Sequence, residues 1–228
     1  MRYALYFTPA ASDGLTLAAA RWLGRNAFNG SPLAQPAVAG FEPPALSALT
    51  ADPRRYGFHA TLKAPFELAG GRSEEGLRSF CRNYAAGLDG VTLPGLSVAA
   101  LGSFVALIPS QPSDALQRFA FALVQAFEPF RAPLSDADLA RRLKSPLTPA
   151  QHAYLQAYGY PYVGDAFRFH MTLTGSLPPE RVAPVRKSLE AAHAAAITAE
   201  PVRLDRFALF RQNSRDSRFR LVDSYRLG

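Results

Sequence analysis

Cysteine is nearly missing from this chain: Cys81 stands alone among 228 residues. A single thiol excludes an internal disulfide framework and any cysteine-rich zinc site. On a helix face, Cys81 reads as a small buried hydrophobe, and the setting implied is reducing and cytoplasmic. Long apolar runs are missing as well. No stretch of about 18 apolar residues occurs, so nothing here is expected to span a membrane. The N-terminal MRYALYFTPAAS is apolar for too few residues to be a secretory signal and reads as a strand. The four histidines are His59, His152, His170 and His193, and they show no H-x-H, H-x-x-x-H or H-E-x-x-H spacing. No metal site is therefore expected. The chain has no Walker-type glycine loop, no G-x-G-x-x-G and no G-x-S-x-G, and no cofactor is expected. Lysine is scarce, found only at Lys63, Lys144 and Lys187. The rest of the 25 basic residues are arginine, and against 18 acids they leave a net charge of +7. Arginine grips phosphate in a bidentate fashion, so the bias suits a phosphorylated or nucleotide ligand. A base composition rich in Ala, Arg and Pro codons would give the same bias.

What is present is a short string that occurs twice. Phe58 to Leu62 reads FHATL and Phe169 to Leu173 reads FHMTL, so His59 and His170 lie 111 residues apart in matched surroundings. A lone histidine on an apolar strand is ordinarily a core or surface residue. A repeat that keeps the flanking Phe and Leu and the threonine two residues on is not explained that way. His152 and His193 lie in helical segments without a paired motif and read as structural or surface residues.

The length fits one large domain or two small lobes. Arg2 to Thr8 reads as a strand, and Ser12 or Asp13 caps a helix to about Phe28. Gly30 to Pro44 is a Pro-, Ala- and Gly-rich loop. Tyr56 to Lys63 is the first motif strand, and Ser73 opens a helix to about Leu88. Leu96 to Ile108 is a long strand or hairpin, and Ser113 to Phe127 is a helix. Leu134 to Tyr158 reads as an insert with two short helices, the second begun by Thr148-Pro149. Arg168 to Gly175 is the second motif strand, followed by a helix over Pro178 to Ala196. Val202 to Phe210 and Phe219 to Tyr225 are alternating strands. Each motif strand is followed by a helix and then a strand, which predicts a diverged duplication. The expected unit is one bilobal α+β domain over 1–228, its lobes centred on about 55–130 and 160–228, with 1–28 packed against them.

Strand side chains alternate between faces. Gly57, His59, Thr61 and Lys63 therefore share a face, as do Arg168, His170, Thr172 and Thr174, each opposite an apolar face. Facing each other across a cleft, the polar faces would present two imidazoles, hydroxyls, an ammonium and a guanidinium. That set suits a phosphodiester. A neutral imidazole and an imidazolium take and give a proton near neutral pH. Thr61, Thr172, Lys63 and Arg168 would hold the non-bridging oxygens, and no metal is then needed. Strained cyclic phosphates are the favoured substrates. Arg54-Arg55-Tyr56 and Tyr160-Pro161-Tyr162 precede the two motifs, and Tyr56, Tyr160 and Tyr162 are candidate platforms for a base or sugar. Arg211 closes a strand beside the second lobe and is a further candidate to reach the site. Which histidine is acid and which is base stays open.

These residues resemble the 2H phosphoesterase superfamily, named for two H-x-[ST] motifs, at His59, Thr61, His170 and Thr172. The strings RRYGFHATLKAPF and FRFHMTLTG resemble the DUF1045 branch, whose members are associated with phosphonate metabolism. The resemblance implies two antiparallel sheets with helices outside, a pseudo-twofold relation and a central cleft. It also implies a metal-independent phosphodiesterase acting on a small cyclic phosphate, such as a ribosyl cyclic phosphate. Two other readings remain: an enzyme of RNA 2′,3′-cyclic ends or a 2′-5′ RNA ligase, favoured by net charge, and a catalytically silent nucleotide-binding module. The 30–44 loop and the 134–158 insert are the natural specificity elements. No exposed heptad argues against a monomer.

Overall fold

The structure is a computed structural model that describes residues 1–193 and 201–228. Seventeen α-helices and strands follow one another along the described residues. The order is β1 (Arg2–Phe7), α1 (Gly14–Leu23), α2 (Pro43–Leu49), α3 (Ala51–Tyr56), β2 (Ala60–Phe66), α4 (Glu74–Ala86) and β3 (Val91–Leu93). Next come β4 (Leu96–Leu101), β5 (Phe104–Pro109), α5 (Asp114–Ala126), α6 (Asp136–Arg142), α7 (Pro149–Tyr158) and β6 (Met171–Thr172). The chain ends with α8 (Pro179–His193), β7 (Val202–Leu204), β8 (Arg206–Gln212) and β9 (Arg220–Arg226). Residues 194–196, the last of the helix expected to Ala196, lie outside the described residues.

The helix signals act as written. Asp13, Ser73, Ser113, Ser135 and Thr148 each accept a backbone N–H in the first turn of the helix they open. Thr148 and Gln151 form a full capping box. The first helix stops at Leu23 rather than Phe28 because Gly24 takes the left-handed conformation that closes it.

Seven antiparallel strands form one sheet in the order β4-β5-β6-β2-β1-β8-β9, and β3 pairs with β7 in a separate ribbon. The fold is α+β, but its strands are shared out differently from the expected two sheets of two lobes. The hairpin β4–β5 pairs with β6, the strand of the second motif. β8 and β9 join β1 and β2, the side of the first motif. The regions 55–130 and 160–228 are thus interleaved in the sheet, because each motif strand completes its hydrogen bonds with strands from the other region.

One face of the sheet carries the main core. Tyr3, Leu5 and Phe7 of β1, Ala60 and Leu62 of β2, Val105 and Leu107 of β5, Met171, and Phe207 and Leu209 of β8 all lie there, buried. Helices α4, α5 and α8 pack over them, α4 on β8 and β9, α5 on β2 and α8 on β4 and β5. Cys81 on α4 is fully buried, as its helical place suggested. The opposite face has a smaller cluster of Ala4, Tyr6, Ala208, Phe210 and Phe219. Beside that cluster the sheet face is open, and both motifs lie there. No described helix is long and apolar enough to cross a membrane.

Candidate active site

The two motif strands meet at a single antiparallel pair, Ala60 opposite Met171, both fully buried. Continuing that register by one residue each way sets His59 opposite Thr172 and Thr61 opposite His170. Side chains alternate, so these four project from the face opposite Ala60 and Met171. They line one cavity of about 580 Å3. The polar faces were expected to face each other across a gap. They lie instead side by side on one sheet face, because backbone pairing at Ala60 and Met171 draws the strands together. The histidines occupy diagonal corners of a two-by-two block, a placement that sets Cβ atoms roughly 7–8 Å apart.

Both imidazoles are oriented alike. His59 Nδ1 donates to the Gly57 carbonyl at 2.9 Å, and His170 Nδ1 donates to the Arg168 carbonyl at 2.7 Å. A carbonyl can only accept, so Nδ1 carries the proton and Nε2 of each ring is left for chemistry. Thr61 Oγ1 lies 3.3 Å from His59 Nε2. His59 packs on Tyr6, ring centroids 4.0 Å apart, and on Tyr56 at 5.7 Å. Burial, with a smaller push from His170, lowers the His59 pKa to about 4, so its ring is neutral at pH 7.

The strand just outside each motif is pinned from behind. Trp22 Nε1 donates to the Leu173 carbonyl at 2.8 Å, and Thr174 Oγ1 accepts the Val105 N–H at 3.0 Å. Arg25, 1% exposed, donates to the carbonyls of Arg54, Arg55 and Phe219. It thereby ties the end of α3 to the start of β9, and Tyr56 stacks on Phe219 at 5.2 Å. Arg54 is used up in structure, donating to the Leu23 carbonyl and to Thr50 Oγ1.

The expected site residues divide. His59, Thr61, His170, Thr172, Tyr56 and Tyr160 all line the cavity with the histidine pair. Arg168 and Tyr162 line an adjoining cavity of about 520 Å3, which shares Thr61, Tyr160 and His170 with the first and is walled by Leu101, Phe104 and Phe167. Lys63 is a correction. It is 3% exposed, and its Nζ donates to Glu128 at 2.9 Å and the Val124 carbonyl at 3.1 Å, away from the cleft. The reason is a bulge. Tyr6 pairs with Thr61 but Leu5 pairs with Lys63, so one extra residue of β2 reverses parity beyond Leu62. Ala64 takes the cleft-facing place instead. Arg211 is a second correction: it pairs with Glu74 at 2.9 Å. His193 is buried against Trp22, ring centroids 5.5 Å apart, and His152 is exposed.

Several lining residues were not read from the sequence. Tyr6 and Arg2 come from β1, Arg141 and Arg142 from α6, and Arg215 from the β8–β9 turn. Alternation along β1 put Tyr6 and Arg2 on one face, but nothing local says that β1 lies beside the motif strand. Among the described residues no three His, Cys, Asp or Glu side chains are grouped as a metal site requires.

This cleft-bearing α+β chain belongs to the DUF1045 family, described as a protein of unknown function, which matches residues 61–220. The match begins two residues after His59 and includes Thr61, His170 and Thr172. It is 41% identical over 92% of its length to ribose 1,5-bisphosphate phosphokinase PhnN of Janthinobacterium sp. (strain Marseille), covering 47% of that protein. It is 33% identical over 97% of its length to the PhnN of Laribacter hongkongensis (strain HLHK9), covering 50%. The chain thus spans about half the length of the curated relatives it matches. Among solved structures, E. coli LigT complexed with 3′-AMP aligns over 99% of this chain and 97% of that one, at 16% identity and TM-score 0.49. A phosphoesterase crystal structure aligns over 99% and 98%, at 16% identity and TM-score 0.45.

Proposed function

We propose that this chain is a metal-independent cyclic phosphodiesterase whose acid and base are its two motif histidines. The observation that carries the reading is the diagonal block of His59, Thr61, His170 and Thr172, with both Nδ1 atoms donating to backbone carbonyls so that each Nε2 is unprotonated or exchangeable. A cyclic phosphate between the rings is attacked at phosphorus by water. His59, held neutral by burial, takes the water's proton at Nε2. The P–O bond to one ring oxygen breaks, and the His170 imidazolium gives its Nε2 proton to that oxygen. Water is consumed, a phosphomonoester forms, and proton exchange with solvent resets both rings. Thr61 and Thr172 donate to the non-bridging oxygens, where charge grows in the transition state. The matched motifs on neighbouring strands support a pseudo-twofold origin by duplication.

A ribosyl cyclic phosphate is the substrate we favour. The support is that both relatives are named for a kinase of a ribose bisphosphate, to which opening such a ring would be adjacent chemistry. The kinase activity itself is not carried across, since this chain has no G-x-x-x-x-G-K-[ST]. A second reading, action on nucleotides or RNA ends, is supported by the adjoining cavity with Phe104, Tyr160, Tyr162 and Phe167 in its walls.

The test is turnover of ribosyl and nucleoside cyclic phosphates with a chelator present, products identified by phosphorus NMR. Turnover is expected, with kcat falling by about 10²–10⁴ in His59→Gln and in His170→Gln. Binding of every such compound without turnover would reduce the protein to a binding module. Full activity in either variant would sink the assignment.

A further inference from the structure

The cleft carries more positive charge than one cyclic phosphate can use. That group is a monoanion, and two imidazoles and two hydroxyls already surround it. The same cavity is lined by Arg2, Arg55, Arg141, Arg142 and Arg215. Asp138 pairs with both Arg141 and Arg215, and Asp52 and Asp216 also line the cavity. Glu67 lies 3.8 Å from Arg215 as well, so five guanidinium groups meet four carboxylates and one positive charge is in excess.

Arg142 is the arginine of this group best placed to take a ligand. Its guanidinium carbon stands 4.7 Å over the Tyr160 ring, which fixes its plane. Its Nε is buried and has no hydrogen-bond partner among the described residues. Unlike Arg141 and Arg215, which pair with Asp138, Arg142 forms no ion pair among the described residues. The fixed fork of a guanidinium matches two phosphate oxygens. Arg142 ends α6 within the insert at 134–158, and Tyr160 lies on the boundary of the two cavities.

We propose that the arginines around Arg142 bind a second phosphate on the substrate, a phosphomonoester remote from the cyclic phosphate, and that Arg142 determines this specificity. The reacting block cannot read the rest of the substrate, because it touches only the cyclic phosphate. The insert supplies the recognition instead. The inference deepens the phosphodiesterase reading and rests on it for turnover but not for binding.

The probes are adenosine 2′,3′-cyclic phosphate and the same compound bearing a 5′-phosphate. The 5′-phosphorylated compound is expected to show kcat/KM higher by about tenfold or more, mainly through KM, as one charge-assisted hydrogen bond or more would give. Arg142→Ala lowers kcat/KM for the 5′-phosphorylated compound about tenfold more than for the other, and Arg142→Lys restores part of the difference. Thermal melts confirm that both variants fold. Calorimetry of adenosine 3′,5′-bisphosphate against adenosine 3′-phosphate reads the second site without turnover. Preference for the bisphosphate with no turnover of either probe keeps the second phosphate site and overturns the nucleotide form of the phosphodiesterase reading. Equal turnover and equal binding overturn the second site and keep that reading. Neither turnover nor preference overturns both.

Discussion

Gly57 has φ +85° and ψ 179°, a region open essentially to glycine alone. A Cβ there would stand 2.4 Å from Ala27 Cβ. Its carbonyl orients His59, so the residue that makes the turn also sets the imidazole's tautomer. Gly57→Ala is expected to cost about 2–3 kcal/mol, a Tm loss of roughly 5–10 °C. It should also lower kcat in protein that is still folded at 20 °C. A melt unchanged within a degree would contradict the account. His59 itself couples pH to stability. Its pKa is about 4 in the fold against 6.5 as an ordinary value, so the unfolded chain binds more protons between those limits. The stability it contributes is fully present above pH 6.5 and is lost as pH falls through about 4. Tm of the wild type should therefore fall more steeply across that window than Tm of His59→Gln. His193, whose pKa burial also lowers, and the carboxylates are common to both proteins and cancel in the comparison. The histidines and threonines were legible because their spelling repeats. The arginines were not, since nothing in the local string separates Arg142 from its neighbour Arg141.

At the scale of the element, β2 shows how one residue changes a role. Strict alternation predicts Lys63 beside His59 and Thr61, and the bulge after Thr61 turns it inward to Glu128. Glu128 also holds Arg131, so the three form one chain of charge. The asymmetry of such pairs gives a test. Glu128→Ala leaves a buried ammonium unpaired and should cost about 3–5 kcal/mol. Lys63→Met leaves Glu128 with Arg131 and replaces charge by an apolar chain, so it should cost less. KM for a cyclic phosphate should be unchanged in Lys63→Met. A large rise in KM there would return Lys63 to the cleft. The strand expected from Tyr56 starts later than alternation suggests. Residues 51–56 form α3, and the strand begins only at Ala60. Glycine at the end of α3 closes the helix and launches the strand in three residues, a compression that pattern reading does not resolve. The starts of α1, α4, α5 and α7 were legible, because a cap depends on one side chain and the N–H groups next to it, whereas α2 and α3 have no side-chain cap and were not read.

The whole molecule is held together by exchange. The hairpin β4–β5 serves the second motif strand, and β8–β9 extends the sheet of the first. Neither half of the chain can therefore complete its own sheet. Fragments 1–132 and 133–228, expressed apart, should each show spectra of largely unfolded chains and recover native circular dichroism only when mixed. A folded fragment on its own would show that the lobes follow the sequence after all. The exchange also explains why the two histidines meet although 111 residues separate them.

The sequence by itself determined the histidine–threonine pairs, the apolar backing of each motif, the helix caps and the α+β class. All of these rest on contacts between near neighbours or on strict alternation. Tertiary structure alone decided that the motif strands lie side by side, that a bulge removes Lys63 and that arginines from β1, α6 and the β8–β9 turn share one cleft. Those outcomes depend on which strand edges satisfy one another's hydrogen bonds. That choice is made among distant segments at once and leaves no mark in a local string.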